Sequence, residues 1–517
     1  MDGINRAYFH KWVYTGGLIL LAAALPASVF LMSVVQIMLF LNWLIEGRLK
    51  LKWRRFIANR SALVFASIYL VYLVGLFYST DFSSGFSTLK TRLPILLFTL
   101  IVVTSDPMPR NRWRMVLLAF SASITLVSLV SLQIWISDSY TDFRELSPFI
   151  SHIRMSLMVA VSVCLLVWLA RKDGFYGLYF LAVWHLVYLF MLHSLSGIIA
   201  LGLVALVFSI VWSGRLQSKW KGVGYTVLLI LLSGTAAMLF MLWSNVRLDH
   251  GEDLQALDLQ TKKGTPYLHD RLASHRENGH RVYIYIAESE LREAWEQSSQ
   301  LDFDGMTASG DKLRVVLYRY MTSKGLRKDF QGFQQMDDLD VLAVEQGIPN
   351  VLYKRWPWFI TRLHQTLWEL NIYKEERDPA GHTLAQRLEF WRAARVAIAA
   401  KPWFGWGTGD IRSASAYGLE TIDSPMDFER WMKPHNQYLS YFVKFGIIGG
   451  LWILLAILYP VVREKAWKNS IFTAFLIILF VSMINEDTMD TQAGLSFFVF
   501  FYNVLLFLRM QHDPLGH

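Results

Sequence analysis

Twelve apolar runs, each near the ~20 residues a helix needs to cross a hydrocarbon core, constrain this chain more than any other feature. They lie near 11–26, 27–45, 62–78, 91–105, 115–136, 152–170, 175–192, 194–213, 223–243, 436–462, 470–485 and 494–509. In lipid, backbone N–H and C=O groups must be satisfied within the segment, so runs of this kind become helices. The expected fold is an all-α polytopic membrane protein of about 12 transmembrane helices with one large, mainly helical loop domain. Its boundaries fall at 1–243 for helices 1–9, 244–435 for the loop domain and 436–517 for helices 10–12. A hydrophobic fraction of 54% and a mean hydropathy of +0.33 exclude an ordinary soluble multidomain protein. The first run has no distinct cleavage pattern and meets the second around Pro26, so it is expected to stay as an anchor.

Lysines and arginines in short loops resist translocation and so report orientation. With the N-terminus inside, the cytoplasmic segments "GRLKLKWRRFIANR", "PRNRWR", "ARKDG", "GRLQSKWKG" and "REKAWKN" are all basic, and the opposite short loops are not. Both termini are then cytoplasmic and the long loop lies outside the cytoplasm. That loop, 244–435, holds 25 Lys+Arg against 28 Asp+Glu, leaving 25 against 13 elsewhere. The net +9 is thus a topology signal and not a nucleic-acid footprint. The single cysteine, Cys164, sits in an apolar run and is expected to pack there; no intrachain disulfide can form.

Within the loop, alternation at Val282, Ile284 and Ile286 predicts a short strand, and Leu291 with Trp295 a following helix. A longer helix is expected over "LAQRLEFWRAARVAIAA", stopped at Lys401-Pro402. The glycines of "FGWGTGD" suit a turn of unusual backbone angles and not a dinucleotide fingerprint, since no strand precedes them.

The stretch "KPHNQYLSYFVKFGIIGG", Lys433 to Gly450, places polar residues at the mouth of an apolar helix. If the helix begins near Pro434, one face carries His435, Leu439, Phe442, Gly446 and Gly449, with Lys444 opposite. Two readings stay open. His435 is interfacial, Lys444 snorkels and the glycines pack; or His435 is an acid or base at a membrane-surface site, its intrinsic pKa lying near neutrality.

His435 and Asn436, followed by nine residues and then "GIIG", together with the arginine helix and glycine turn of "RLEFWRAARVAIAAKPWFGWGTGD", resemble the signature of bacterial O-antigen ligases and the wider O-antigen polymerase and ligase superfamily. The helix count and the large loop between the ninth and tenth helices are similar too. One departure is "LHSLSGIIALG": many relatives carry Ser-Arg-Gly, whereas Leu195 and Ser196 leave no arginine.

The resemblance implies lipopolysaccharide biosynthesis at the periplasmic face of the bacterial inner membrane. A glycan would pass from undecaprenyl diphosphate to a lipid A-core hydroxyl, with no cofactor. It implies His435 as the catalytic group and, from its place in the family-like segment, Arg387 as a donor-diphosphate ligand; Arg154, at the external mouth of the sixth helix in "SHIRMSL", is the second candidate, because guanidinium pairs with phosphate in a bidentate, permanently charged geometry. Asn436, Arg392, Glu486 and Asp487 are candidate supporting residues, and Gly446 and Gly449 form the structural motif. Arg387 and Arg154 could instead pair with carboxylates or snorkel, and Glu486, Asp487 and Asp490 could be a solvated turn. The pairs Asp302/Asp304 and Asp338/Asp340 have the letters of a metal site, but such short patterns recur by chance, and no metal is expected. Alternative activities are O-antigen polymerisation and protein O-oligosaccharyl transfer. The single large external loop favours the ligase over the polymerase. Transport of a lipid-linked glycan is the alternative of another class, disfavoured by the scarcity of intramembrane ionisable residues, of which Lys444 and His185 are the clearest.

Overall fold

A computed structural model describes residues 2–137, 140, 142–216, 218–377, 379, 382–426 and 433–508. In chain order its α-helices are α1 (Asp2–Ala24), α2 (Val29–Glu46), α3 (Leu49–Ala58), α4 (Arg60–Phe77), α5 (Phe82–Thr104), α6 (Arg110–Ile136), α7 (His152–Asp173), α8 (Gly177–Met191), α9 (Leu195–Arg215) and α10 (Ser218–Val246). There follow α11 (Glu288–Glu296), α12 (Leu313–Ser323), α13 (Phe330–Phe333), α14 (Asp338–Glu345), α15 (Trp358–Glu376), α16 (Thr383–Ala400), α17 (Ile411–Thr421), α18 (Gln437–Arg463), α19 (Ser470–Asn485) and α20 (Gln492–Asn503). The chain is an all-α polytopic membrane protein. Among the described residues eight helices (α2, α4, α5, α6, α7, α9, α10 and α18) are long and apolar enough to span a bilayer, and α8, α19 and Gln492–Leu508 are shorter apolar helices.

Two compact units emerge, Met1–Phe208 with Arg387–His517, and Ser209–Gln386. In the first, α20 is buried from Ala493 to Asn503. Its rings interlock with those of its neighbours: Phe65 of α4 stacks on Tyr502 at 4.2 Å, and Phe120 of α6 meets Phe501 edge-on at 4.7 Å. Lipid is as apolar as these side chains, so such close packing, and not water exclusion, holds membrane helices together.

The second unit has its own core, in which Val282, Leu291, Trp295, Phe303, Leu313, Leu317 and Val344 pack. Two buried carboxylates there are paired: Glu277 accepts from Arg319 and Asn350, and Asp340 from Lys324 and Lys354. Such pairing offsets the cost of desolvating them. The alternating segment forms no regular strand. Val282, Ile284 and Ile286 are buried, but Ile286 joins Leu268 and Lys328 only through isolated bridges. The only strands among the described residues are a two-residue hairpin, Arg276–Glu277 with His280–Arg281.

Two membrane-unit elements differ from expectation. The basic segment after α2 contains α3, an amphipathic helix whose Lys52 turns inward to donate to the Trp43 carbonyl at 2.5 Å. The run expected at 91–105 begins much earlier, at Phe82, because Asp81 caps α5 by accepting from Ser84 N–H at 2.9 Å. Hydropathy alone misses that polar first turn.

Candidate functional site

His435 stands just before α18 and not on its face. Asn436 is the N-cap, its side-chain oxygen accepting from Leu439 N–H at 3.1 Å. His435 has φ +49°, a left-handed conformation that costs a non-glycine residue roughly 1–2 kcal/mol. It persists because neighbours hold the backbone: Asp487 accepts from His435 N–H at 3.1 Å, and the Trp391 indole donates to the Pro434 carbonyl at 3.0 Å. The single stripe expected from His435 through Leu439 and Phe442 to Gly449 is therefore not formed.

Gly446 breaks that stripe a second time. At φ +60°, ψ −164° it occupies a region essentially reserved for glycine and interrupts α18. The glycine turn after α16 fills the break. Trp406 N–H and Gly407 N–H donate to the carbonyls of Val443 and Lys444 at 2.9 and 2.8 Å, and Ile447 N–H donates to Pro402 O at 2.7 Å. A Cβ on Gly405 would lie 2.5 Å from Gly446 N, and one on Gly446 would lie 2.3 Å from Trp403 C. The two glycines are thus required by one backbone-to-backbone contact. Downstream, Asp410 accepts from Thr80 N–H and Asp81 N–H at 2.6 and 2.7 Å, tying the turn to the start of α5. Gly449 has a plainer role, bringing α18 against Val71 of α4, 3.2 Å from the position of an added Cβ.

The segment between α19 and α20 brings three carboxylates beneath His435. A solvated turn was one expectation, and the structure corrects it: Asp487 is 6% exposed and the Asp490 side chain 1%. Asp490 binds Arg92 of α5 at 2.5 Å, Lys444 of α18 at 2.5 Å and Lys433 at 3.4 Å. Lys444 is thus a buried counter-ion and does not snorkel. Asp487 accepts from Ser440 Oγ–H at 2.6 Å as well as from His435 N–H. Glu486 accepts from Arg387 at 2.9 Å, and its second oxygen lies 3.9 Å from His435 Nδ1, an electrostatic contact too long for a hydrogen bond.

These surroundings push the three carboxyls apart. Burial disfavours ionisation of Asp490, but the charges of Lys444, Arg92 and Lys433 together outweigh it and hold the group well below the usual carboxylate range. Burial, reinforced by the Asp490 charge, raises Asp487. Burial opposes ionisation of Glu486 as well, yet the facing His435 imidazole and the Arg387 charge lower it.

Above this floor opens a cavity of ≈ 250 Å³, lined among others by Arg154, Arg412, Lys433, His435, Glu486 and Asp487. Arg154 comes from the first turn of α7 and Arg412 from that of α17. Neither makes a hydrogen bond or ion pair with the described residues, so both remain available to an anion. Arg387 is held beside the cavity on Glu486. Arg392 binds Glu389 at 2.8 Å on α16 instead and does not line the cavity. Ser196 accepts from Asn485 Nδ2 at 2.9 Å.

The arrangement combines an imidazole, a carboxylate facing it and several cations around one cavity, which suits deprotonation of a hydroxyl next to a bound polyanion. No group of three or more potential metal ligands occurs among the described residues. Asp304 pairs with Arg292 and Asp340 with two lysines. Arg92, Arg412 and Lys433 are not foreseen from the sequence. A signal existed for Arg92 and Lys444, since cations inside apolar runs demand a buried partner; nothing marks Arg412.

Residues 356–454 match a family model described as O-antigen ligase, a span that takes in α15, α16, the glycine turn, α17, His435 and the first part of α18. No curated protein matches the chain.

Proposed function

We propose, from the match of residues 356–454 to a family model described as O-antigen ligase, that this protein is an O-antigen ligase. It transfers a glycan from undecaprenyl diphosphate to a hydroxyl of lipid A-core, at the periplasmic face of the inner membrane. The observation that carries the proposal is the convergence of His435, Glu486 and the cations Arg154, Arg412 and Lys433 on one cavity.

Each residue has a task in this scheme. Arg154, with Arg387 beside it, binds the donor diphosphate and offsets the charge that builds on it as the sugar departs. His435 takes the proton of the acceptor hydroxyl, whose oxygen attacks the anomeric carbon. The bond from that carbon to the diphosphate oxygen breaks, and lipid diphosphate leaves with the bonding pair. Glu486 favours the protonated imidazole that results and holds Arg387 near. Asn436, by capping α18, and Asp487, by holding the His435 backbone, fix where the imidazole points. Direct attack inverts the anomeric centre. The carboxylates near His435 are engaged by Arg387, Ser440, Arg92 and Lys444, so none is offered as a nucleophile for a double displacement.

The test is transfer by purified chain and by His435→Ala, given undecaprenyl diphosphate glycan and lipid A-core with EDTA present. Joined product of inverted configuration from the parent alone is expected. Product with retained configuration would overturn direct displacement, and product only with a glycan or protein acceptor would move the activity to polymerisation or protein glycosylation.

A further inference from the structure

The second unit carries a cavity of its own, ≈ 440 Å³, lined among others by Asp258, Gln260, Lys262, Tyr267, Asp329 and Gln331. Its lining lies between residues 258 and 335, outside the 356–454 span of the family match. Three segments build it. The loop 258–267 doubles back on itself, with Tyr267 N–H donating to Leu259 O at 2.9 Å and Thr261 N–H to Thr265 O at 2.8 Å. Thr261 Oγ–H anchors this loop to Glu290 of α11 at 2.5 Å. The turn after α12 faces it: Arg327 pairs with Asp258 at 2.6 Å, and the Tyr267 hydroxyl donates to Asp329. The third segment, α13, meets that turn at Gly332, where an added Cβ would lie 2.0 Å from Arg327 O. Thr261, Tyr267 and Asp329 are buried, so this part of the wall is held in place by the fold itself.

The chemistry of the lining selects among ligands. Leu326 is its one aliphatic side chain, whereas sites for lipids and drug-like molecules are mostly apolar. Its charges balance, Asp258 and Asp329 against Lys262 and Arg327, so a polyanion or a cation would meet a like charge. Asp258 is already engaged by Arg327, and Asp329 accepts from Gly332 N–H at 2.7 Å as well as from Tyr267. What remains unspent is neutral hydrogen bonding. The exposed side chains of Gln260 and Gln331 make no hydrogen bond with the described residues, and Gln335 uses only its Nε2, donating to Gln331 O at 3.3 Å. A primary amide offers donors and an acceptor together, which matches a ligand whose groups also both donate and accept, as hydroxyls do.

We propose that this cavity is a carbohydrate-binding site that holds an uncharged, hydroxyl-rich stretch of saccharide. It shares no lining residue with the His435 cavity. The site goes beyond the ligase reading and rests on it only for the source of the saccharide, since donor and acceptor both carry glycan in that reaction. Its task is to hold sugar that does not itself react.

Two measurements on the full chain in lipid nanodiscs test it. The first is calorimetric titration with two lipid-free probes cut from the lipopolysaccharide of the encoding bacterium, the repeat glycan and the core oligosaccharide. One of them should bind, and Gln260→Ala with Gln331→Ala should weaken it about tenfold, the effect of losing two hydrogen bonds of ordinary net strength. The melting temperature should not move, because neither side chain supports a contact in the fold. Binding of the repeat glycan assigns the site to the donor, and binding of the core oligosaccharide assigns it to the acceptor. Binding of neither probe, binding that the double variant leaves unchanged, or displacement of the saccharide by inorganic diphosphate overturns the proposal.

The second measurement uses no variant. Hydrogen exchange of the parent, with and without the bound probe, should slow over residues 258–267 and 325–335; slowing elsewhere with none in these two segments overturns the assignment. Neither measurement needs turnover. If the parent makes no product but the saccharide binds and protects these segments, the ligase reading fails and the carbohydrate site stands. If the parent joins glycan to lipid A-core but neither probe binds here, the ligase reading stands and the site fails.

Discussion

Replacing Asp490 by asparagine keeps the volume of the side chain and removes the one charge on which Arg92, Lys444 and Lys433 converge. Two of those partners, Arg92 and Lys444, have side chains only 2% exposed, so both would be left as buried cations without a counter-ion. Breaking a buried pair in this way typically costs ~3–5 kcal/mol. Two buried cations share the loss here, so Asp490→Asn should fall at the upper end of that range. Lys444→Met removes a cation but leaves Asp490 on Arg92, and should cost less. The double substitution should be milder than the sum of the two by ~1–3 kcal/mol, since each single change leaves a charge that the other removes. The assay is equilibrium unfolding of the full chain in mixed micelles, followed by tryptophan fluorescence at fixed pH and lipid. If Asp490→Asn unfolds within about 0.5 kcal/mol of the parent, or the two changes simply add, the cluster is not the buried ionic support described here.

Gly405→Ala should destabilise the membrane unit by more than ~2 kcal/mol and reduce transfer with it, because the alanine must hold φ +73° with its Cβ 2.5 Å from Gly446 N; an unchanged melting temperature would refute the interlock. Glu486 is held below the ordinary carboxyl range, so its contribution to stability is present above the unfolded value of ~4.3 and is lost as pH falls through its lower folded value. Glu486→Gln should therefore be less stable than the parent at pH 7, with the difference closing only below about pH 4; a difference that closes between pH 7 and pH 5 would contradict that order. Asp487, raised by burial, has the opposite sign: its ionised form costs stability that is recovered on acidification, so Asp487→Asn should lose less at pH 7 than Asp490→Asn, by the same unfolding assay. In the second unit, Leu317→Ala at a fully buried position should cost ~2–5 kcal/mol, measurable by hydrogen exchange across α12.

What the sequence determined on its own is local. A bilayer accepts only backbone that satisfies itself, so apolar runs of sufficient length had to be helices, and the all-α polytopic architecture follows from hydropathy alone. The glycine turn, the arginine helix and the histidine at a helix mouth are likewise contiguous patterns, and they carried the family resemblance. The conformations of those patterns were not local. Helical periodicity put His435 and Gly446 on one face, but a peptide plane of the glycine turn, more than 35 residues upstream, enters α18 at Gly446 and turns its backbone out of the helix, while Asp487 and Trp391 hold His435 left-handed before the helix begins. The carboxylates show the same division. "NEDTMDTQ" reads as a polar turn, because nothing within it tells that Arg92, 398 residues away, and Lys444, 46 residues away, will meet the buried side chain of Asp490. A buried charge is stable only against its partner, and tertiary packing alone decides which partner that is.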